Sequence, residues 1–302
     1  MKYQITTADQ ARIPANYTRE DRYLGYREAD QAKPYAQFFR AAVAAVQPQA
    51  VEAVAAGRRP GELGYGIDQA ATRLSRPGYD PVETGWFETP DKRLLVSVLT
   101  DMPGVRAEMW DWWFGWHGTE SARYKLWHPT AHVFTAVADD RSSNRELTDR
   151  QRYTDNVSFV DEYLGHEFNR LAIRFFDPRK LGFDEPAPGS TVIAARGGLS
   201  TAPVAVSWLV HQLRPTDAGC EMRSRFFIKD VAILPLPAGA YASPVGGVLT
   251  SRLGRVIEPV LGRVAAPDTD VFGRDLLMHC AQEMNHLAGF LPELYETFAG
   301  TP

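Results

Sequence analysis

The apolar and polar positions divide the chain into stretches of different rhythm. Residues 1–32 show none: they are polar, carry Pro14 and many charges, and read as an irregular surface arm. Pro34 opens an Ala-rich stretch, Tyr35 to Ala56, which predicts a helix ended by Gly57 and Pro60. Gly61 to Pro90 is rich in Gly, Pro and Thr and predicts mostly loop. Arg93–Leu99 (RLLVSVL) predicts a strand, and Val105–His117 a helix after the Pro103-Gly104 step. Beyond Gly118, short runs of β-branched and aromatic residues recur at 131–138, 157–164, 171–176, 191–195, 204–213 and 221–228. Turn residues such as Asp177-Pro178, Pro188-Gly189 and Gly197-Gly198 separate them, a spacing that predicts an antiparallel sheet. Val271–Phe298 follows as one amphipathic helix. The expected class is α+β: a curved antiparallel sheet gripping a long C-terminal helix, with a ligand cavity between them. The expected division is an N-terminal arm and helical part at 1–80 and a catalytic or binding domain at 81–302.

Composition narrows the function classes. The 302 residues carry 33 Lys+Arg against 37 Asp+Glu, a formal net charge of −4, which gives no footprint for nucleic acid or an anionic membrane. Two cysteines, Cys220 and Cys280, cannot make a disulfide framework or a Cys-rich zinc module. The polar start and the absence of a bilayer-length apolar run lead us to expect a cytoplasmic location without membrane partners. Nothing excludes a homodimer.

Ionisable residues on faces that should be buried carry the functional signal. Leu276, Cys280, Leu287, Phe290 and Leu294 form an apolar stripe, and His279 and Glu283 fall inside it, one turn apart. Such a pair is either two ligands of one zinc or a buried His–Glu hydrogen bond. In the strand Val157–Leu164, Glu162 shares a face with Val160 and Leu164 and points with them to the cavity or to solvent. His211 shares a face with Leu209 and Leu213, opposite Trp208, and is either an acid/base or a structural histidine. His128, before Pro129, and His132, opening an apolar strand, could each complete a set of two His and two Glu suited to zinc, with iron or manganese as alternatives. Five of the seven tryptophans lie between Trp110 and Trp127, as core or as a wall for a flat aromatic ligand.

Several common chemistries are missing. His166-Glu167 starts an H-E pair, but Arg170 breaks H-E-x-x-H, and no G-x-S-x-G, P-loop or G-x-G-x-x-G motif occurs. The blocks Trp112-Trp113-Phe114, Arg123-Tyr124-Lys125-Leu126-Trp127-His128-Pro129, Asp161-Glu162-Tyr163 and His279-Cys280-Ala281-Gln282-Glu283-Met284, in that order, resemble the diacetylphloroglucinol hydrolase family, which includes phloretin hydrolase. The resemblance spans roughly residues 80 to 295 by motif order. It implies a helix-grip (Bet v 1/START-like) domain and hydrolysis of the carbon–carbon bond between an acyl group and a polyhydroxylated ring. It also implies a zinc held by His132, Glu162, His279 and Glu283, with His132 preferred over His128. Trp208, Trp113 and Phe226 are implied at the substrate. The family pocket also uses tyrosine and asparagine; this chain has Phe226-Phe227, Ala131 and Thr135 in the corresponding stretches, which loosens the expectation about ring substituents.

The implied chemistry protonates the ring carbon that bears the acyl group, with His211 and Tyr124 moving the proton, and then hydrolyses the bond. The expected substrate is a small phenolic ketone. Two rivals stand beside this reading: a metal-free carrier of a hydrophobic aromatic ligand, and a metal-dependent decarboxylase or retro-Claisen hydrolase.

Overall fold

A computed structural model describes residues 2–242 and 268–301; residues 243–267 and 302, within the expected 81–302 unit, lie outside the described residues. The arm contains short 3-10 turns and one helical turn, α1 (Asn16–Arg19). The helix expected over 35–56 is shorter. A 3-10 turn spans Ala36–Phe38, and α2 runs only over Pro48–Ala56. Pro48 explains this: a residue before proline disfavours the helical region, and Gln47 is extended at ψ 152°. The stretch expected as loop holds α3 (Ala70–Leu74) and a short edge strand, β1 (Gly85–Glu88). Then come β2 (Leu94–Pro103), α4 (Ala107–Trp116), α5 (Ser121–Trp127), β3 (His132–Val137), α6 (Asp149–Tyr153), β4 (Asn156–Leu164), β5 (Glu167–Phe176), β6 (Thr191–Leu199), β7 (Val204–Thr216) and β8 (Gly219–Ile233).

The expected C-terminal helix is two. Asp268 caps α7 (Thr269–Ala288) by accepting from the amides of Asp270 and Val271 at 2.9 and 3.0 Å. The chain then breaks at Gly289-Phe290, and α8 (Leu291–Phe298) restarts with Pro292 in its first turn, where the missing N–H costs no helical bond.

All eight strands form one antiparallel sheet in the order β1-β2-β8-β7-β6-β5-β4-β3. α7 lies against one face. It touches β1 and β2 near one edge and β4 near the other, so the sheet curls around it. Strand alternation splits two cores. The helix side takes Val96, Val160, Leu213 and Met222, with the tryptophans of α4 and α7's Leu277, Met284 and Leu287. The outer side takes Leu95, Phe176, Val210 and Phe227, covered by Tyr65, Ile67 and α3. Tyr17 and Ala8 of the arm cover Phe134 and Phe159 further along.

One irregularity decides what the site contains. Between His132 and Phe134 the β3–β4 register shifts: His132 pairs with Glu162, whereas Thr135 pairs with Val160. This β-bulge lets His132 face the helix while Phe134 and Ala136 face outward. In a regular strand His132 would share their face.

Candidate metal centre

Four side chains from three elements meet on the helix side. β3 supplies His132, β4 supplies Glu162, and one turn of α7 supplies His279 and Glu283. His132 Nε2 lies 3.3 Å from His279 Nε2, 3.4 Å from Glu283 Oε2 and 3.8 Å from Glu162 Oε2. His279 Nε2 lies 3.7 Å from Glu283 Oε2. His132, His279 and Glu283 are buried and can each offer one atom to a common ion, and Glu162 borders them.

Both histidines have the ring orientation such a site needs. His132 Nδ1 is 3.0 Å from the Tyr124 carbonyl, which leaves Nε2 to face the centre. His279 hydrogen-bonds the backbone of Tyr163. The Tyr124 ring stacks on His132 at 3.8 Å and 5°, and its hydroxyl donates to Glu162.

The electrostatics are those of a cation site. Burial pushes Glu162 up to about 7, with the charge of Asp161 adding to it against the hydrogen bond from Tyr124. Burial, then the charge of Glu162, raises Glu283 well above the carboxylate range. Burial and neighbouring histidines hold His132 and His279 far below the usual histidine value. Among the described residues no Lys or Arg pairs with Glu162 or Glu283. Nitrogen and oxygen donors without thiolate, neutral imidazoles and two carboxylates fit zinc or a similar divalent ion.

His128 is placed differently. Its Nε2 lies 3.2 Å from Gln282 Oε1, and its ring stacks on His279 at 4.9 Å and 13°. It supports His279 from behind, with Gln282, a residue the sequence reading quoted in its motif without a role. Trp113 is buried in the aromatic layer, stacked on His117 at 4.8 Å and edge-on to Trp127 at 6.1 Å. Trp127 and not Trp113 reaches His132, at 5.7 Å.

His211 faces the helix side, buried between Phe114 (6.2 Å) and Phe226 (5.8 Å), and burial pushes it down to about 3. Trp208, expected near the substrate beside His211, is on the other face. Its indole packs edge-on against Tyr3 and Phe176 and lies under the Arg196 guanidinium at 4.4 Å. The reason is strand alternation: positions 208 and 211 of β7 are three steps apart, and an odd step along a strand changes face.

Comparison with known proteins shows the family. Residues 67–296 match the family model described as DAPG hydrolase PhiG domain. The chain is 30% identical over 288 residues to a 2,4-diacetylphloroglucinol hydrolase from a Pseudomonas species, covering 93% of each chain. It is also 30% identical to a 2,4-diacetylphloroglucinol hydrolase of Pseudomonas protegens, covering 93% of this chain and 89% of that one. Phloretin hydrolase of Eubacterium ramulus is 26% identical over 280 residues, covering 90% of this chain and 93% of that one. A solved structure from Chromobacterium violaceum, protein CV1439, has a TM-score of 0.34 and 11% identity over 66% of this chain and 97% of that one, too slight a likeness to define the fold. Among the described residues no helix is long and apolar enough to cross a membrane.

Proposed function

The chain belongs to the DAPG hydrolase PhiG domain family, and from that premise we propose that it is a zinc-dependent hydrolase. It cleaves the carbon–carbon bond between an acyl group and a polyhydroxylated aromatic ring, releasing a carboxylic acid and a phenol. The observation that carries this reading is the convergence of His132, Glu162, His279 and Glu283 with, among the described residues, no Lys or Arg paired to the two carboxylates. A carrier protein would gain nothing from burying them so. We read the sheet curled around α7 as the helix-grip arrangement, with 81–302 carrying the chemistry and residues 1–80 packing on both sides of it, Tyr65, Ile67 and α3 over the outer face and Tyr35, Phe38 and α2 against the helix side.

These four residues would hold the zinc, which when bound supplies a Lewis acid for the acyl carbonyl and for water. The chain's own groups handle the rest. An aryl anion is a poor leaving group, so a proton must reach the ring carbon bearing the acyl group before the bond breaks. Tyr124 stays protonated, because burial and then the charge of Glu162 raise it well above 10.0. His211 is a neutral imidazole on the same face of the sheet. These two are the groups we assign to moving that proton. Trp127, Phe114 and Phe226 are the aromatic surfaces next to His132 and His211 and would stack on a flat ring. The first test is elemental analysis of the purified protein without added metal, followed by turnover of acylphloroglucinols. About one zinc per chain, lost in His279→Ala and Glu283→Ala, is expected. A chain that holds no metal and takes up none on reconstitution overturns the proposal.

A further inference from the structure

β7 and β8 place His211 and Ser224 directly opposite each other on the helix side. His211 Nδ1 lies 2.8 Å from Ser224 Oγ, and both residues are buried, at 1% and 0% exposure. The thiol of Cys280, the residue after His279 on α7, is the other polar group beside that hydroxyl. Among the described residues nothing hydrogen-bonds His211 Nε2. A serine hydroxyl has one proton to give and two partners here. Imidazole nitrogen is a good acceptor and thiol sulfur a weak one, so the proton goes to Nδ1, and the thiol, as a weak donor, gives its own hydrogen to the serine oxygen. That ordering makes Nδ1 an acceptor and leaves the ring hydrogen on Nε2, the free end.

We propose that Ser224 is a positioning residue that fixes His211 in its Nε2–H tautomer, with Cys280 fixing the direction of the Ser224 hydroxyl. His211 then meets a substrate oxygen or ring carbon as a neutral donor, and the strand pair and the ligand-bearing helix are joined through one hydrogen-bonded chain. The assignment deepens the hydrolase reading and rests on it for the role of His211; the tautomer itself does not depend on that role.

The test uses full-length zinc-loaded protein with 15N-labelled histidine. Long-range 1H–15N correlation spectra, assigned with His211→Gln, report which ring nitrogen carries the hydrogen. The wild-type protein is expected to show Nε2–H at His211. Ser224→Ala is expected to mix the tautomers and lower kcat roughly ten- to a hundredfold with KM and zinc content unchanged. Ser224→Thr, which restores the hydroxyl, is expected to recover both the tautomer and most of kcat. An Nδ1–H signal at His211 in the wild-type protein overturns the proposal even if no Ser224 variant folds, and so does a Ser224→Ala spectrum identical to wild type. If the spectra agree but His211→Gln keeps full turnover, the tautomer device stands and the proton-transfer role in the hydrolase reading falls.

Discussion

Two clusters of buried charge lie on opposite faces of the same sheet, and their carboxylates behave oppositely. On the outer face, Glu83 receives Arg223 at 2.6 and 3.0 Å and Arg225 through its second oxygen, with Asp80 at 3.4 Å from Arg225. Burial would raise Glu83, but the hydrogen bonds and charges of Arg223 and Arg225 outweigh it and bring it down to about 2. On the helix side, burial lifts Glu162 and Glu283, and among the described residues no such cation pairs with them. Desolvation acts at both places; only the counter-charge differs. The outer network is complete with the chain's own atoms and reads as architecture. The inner one is electrostatically open and reads as a place for a cation from outside.

The largest expected effect breaks the inner cluster. Glu283→Ala should abolish zinc retention, seen by elemental analysis, and lower acylphloroglucinol turnover by about a thousandfold, since a bound metal contributes several kcal/mol at the transition state. Its folding stability should change far less than its activity. Glu83→Ala should do the reverse. It leaves two buried guanidiniums sharing Asp80, at 3.4 and 3.6 Å, and should cost about 3–5 kcal/mol in urea unfolding, while the folded fraction keeps its zinc. Arg22→Ala is a milder case. Arg22 Nε meets the fully buried Asp161 at 2.8 Å, and Asp161 neighbours Glu162 on the opposite face of β4. Its loss should cost about 1–3 kcal/mol, because Asp161 is left without that partner.

Acidity separates the two clusters with smaller effects of opposite sign. Glu83 is depressed from 4.5 to about 2, so its stabilisation is full above about pH 4.5 and disappears as pH falls toward 2. In the metal-free chain Glu162 is raised from 4.5 to about 7. The folded state then binds the extra proton, so its contribution is full below about pH 4.5 and is lost as pH rises through 7. Urea midpoints from pH 3 to 8, with and without a chelator, should show the second trend only in the chelated protein. The same trend in the zinc-loaded protein would mean that Glu162 is not a ligand.

The residue types of the site were readable before its geometry was. His279 and Glu283 announce themselves because a helical period puts them in an apolar stripe. Glu162 could only be narrowed to one of two faces, since an alternating strand reads the same either way up; Arg22 on Asp161 from the distant arm marks the outer side. The position of His132 was less accessible still. A regular β3 would turn it outward, and the bulge that turns it inward leaves no mark in composition. Trp208 was placed at the substrate by the family resemblance alone, although the alternation of β7 already set it opposite His211. α5 went unread because it is only Ser121–Trp127 and starts at Glu120 without a side-chain cap, so neither a capping signal nor a long period marks it. The N-terminal helix was overextended because propensity was weighed above the effect of Pro48 on Gln47.

The triplet Arg223-Ser224-Arg225 sits on β8 with its outer residues in the acidic network and its middle residue on His211. A slip of β8 by one position would turn both guanidiniums to the imidazole's face, one of them opposite His211, and face the acids with the serine hydroxyl. The ion network on the far side of the sheet therefore acts as a proofreader of alignment. It penalises any one-position slip of β8, and so secures the arrangement of a face it never touches.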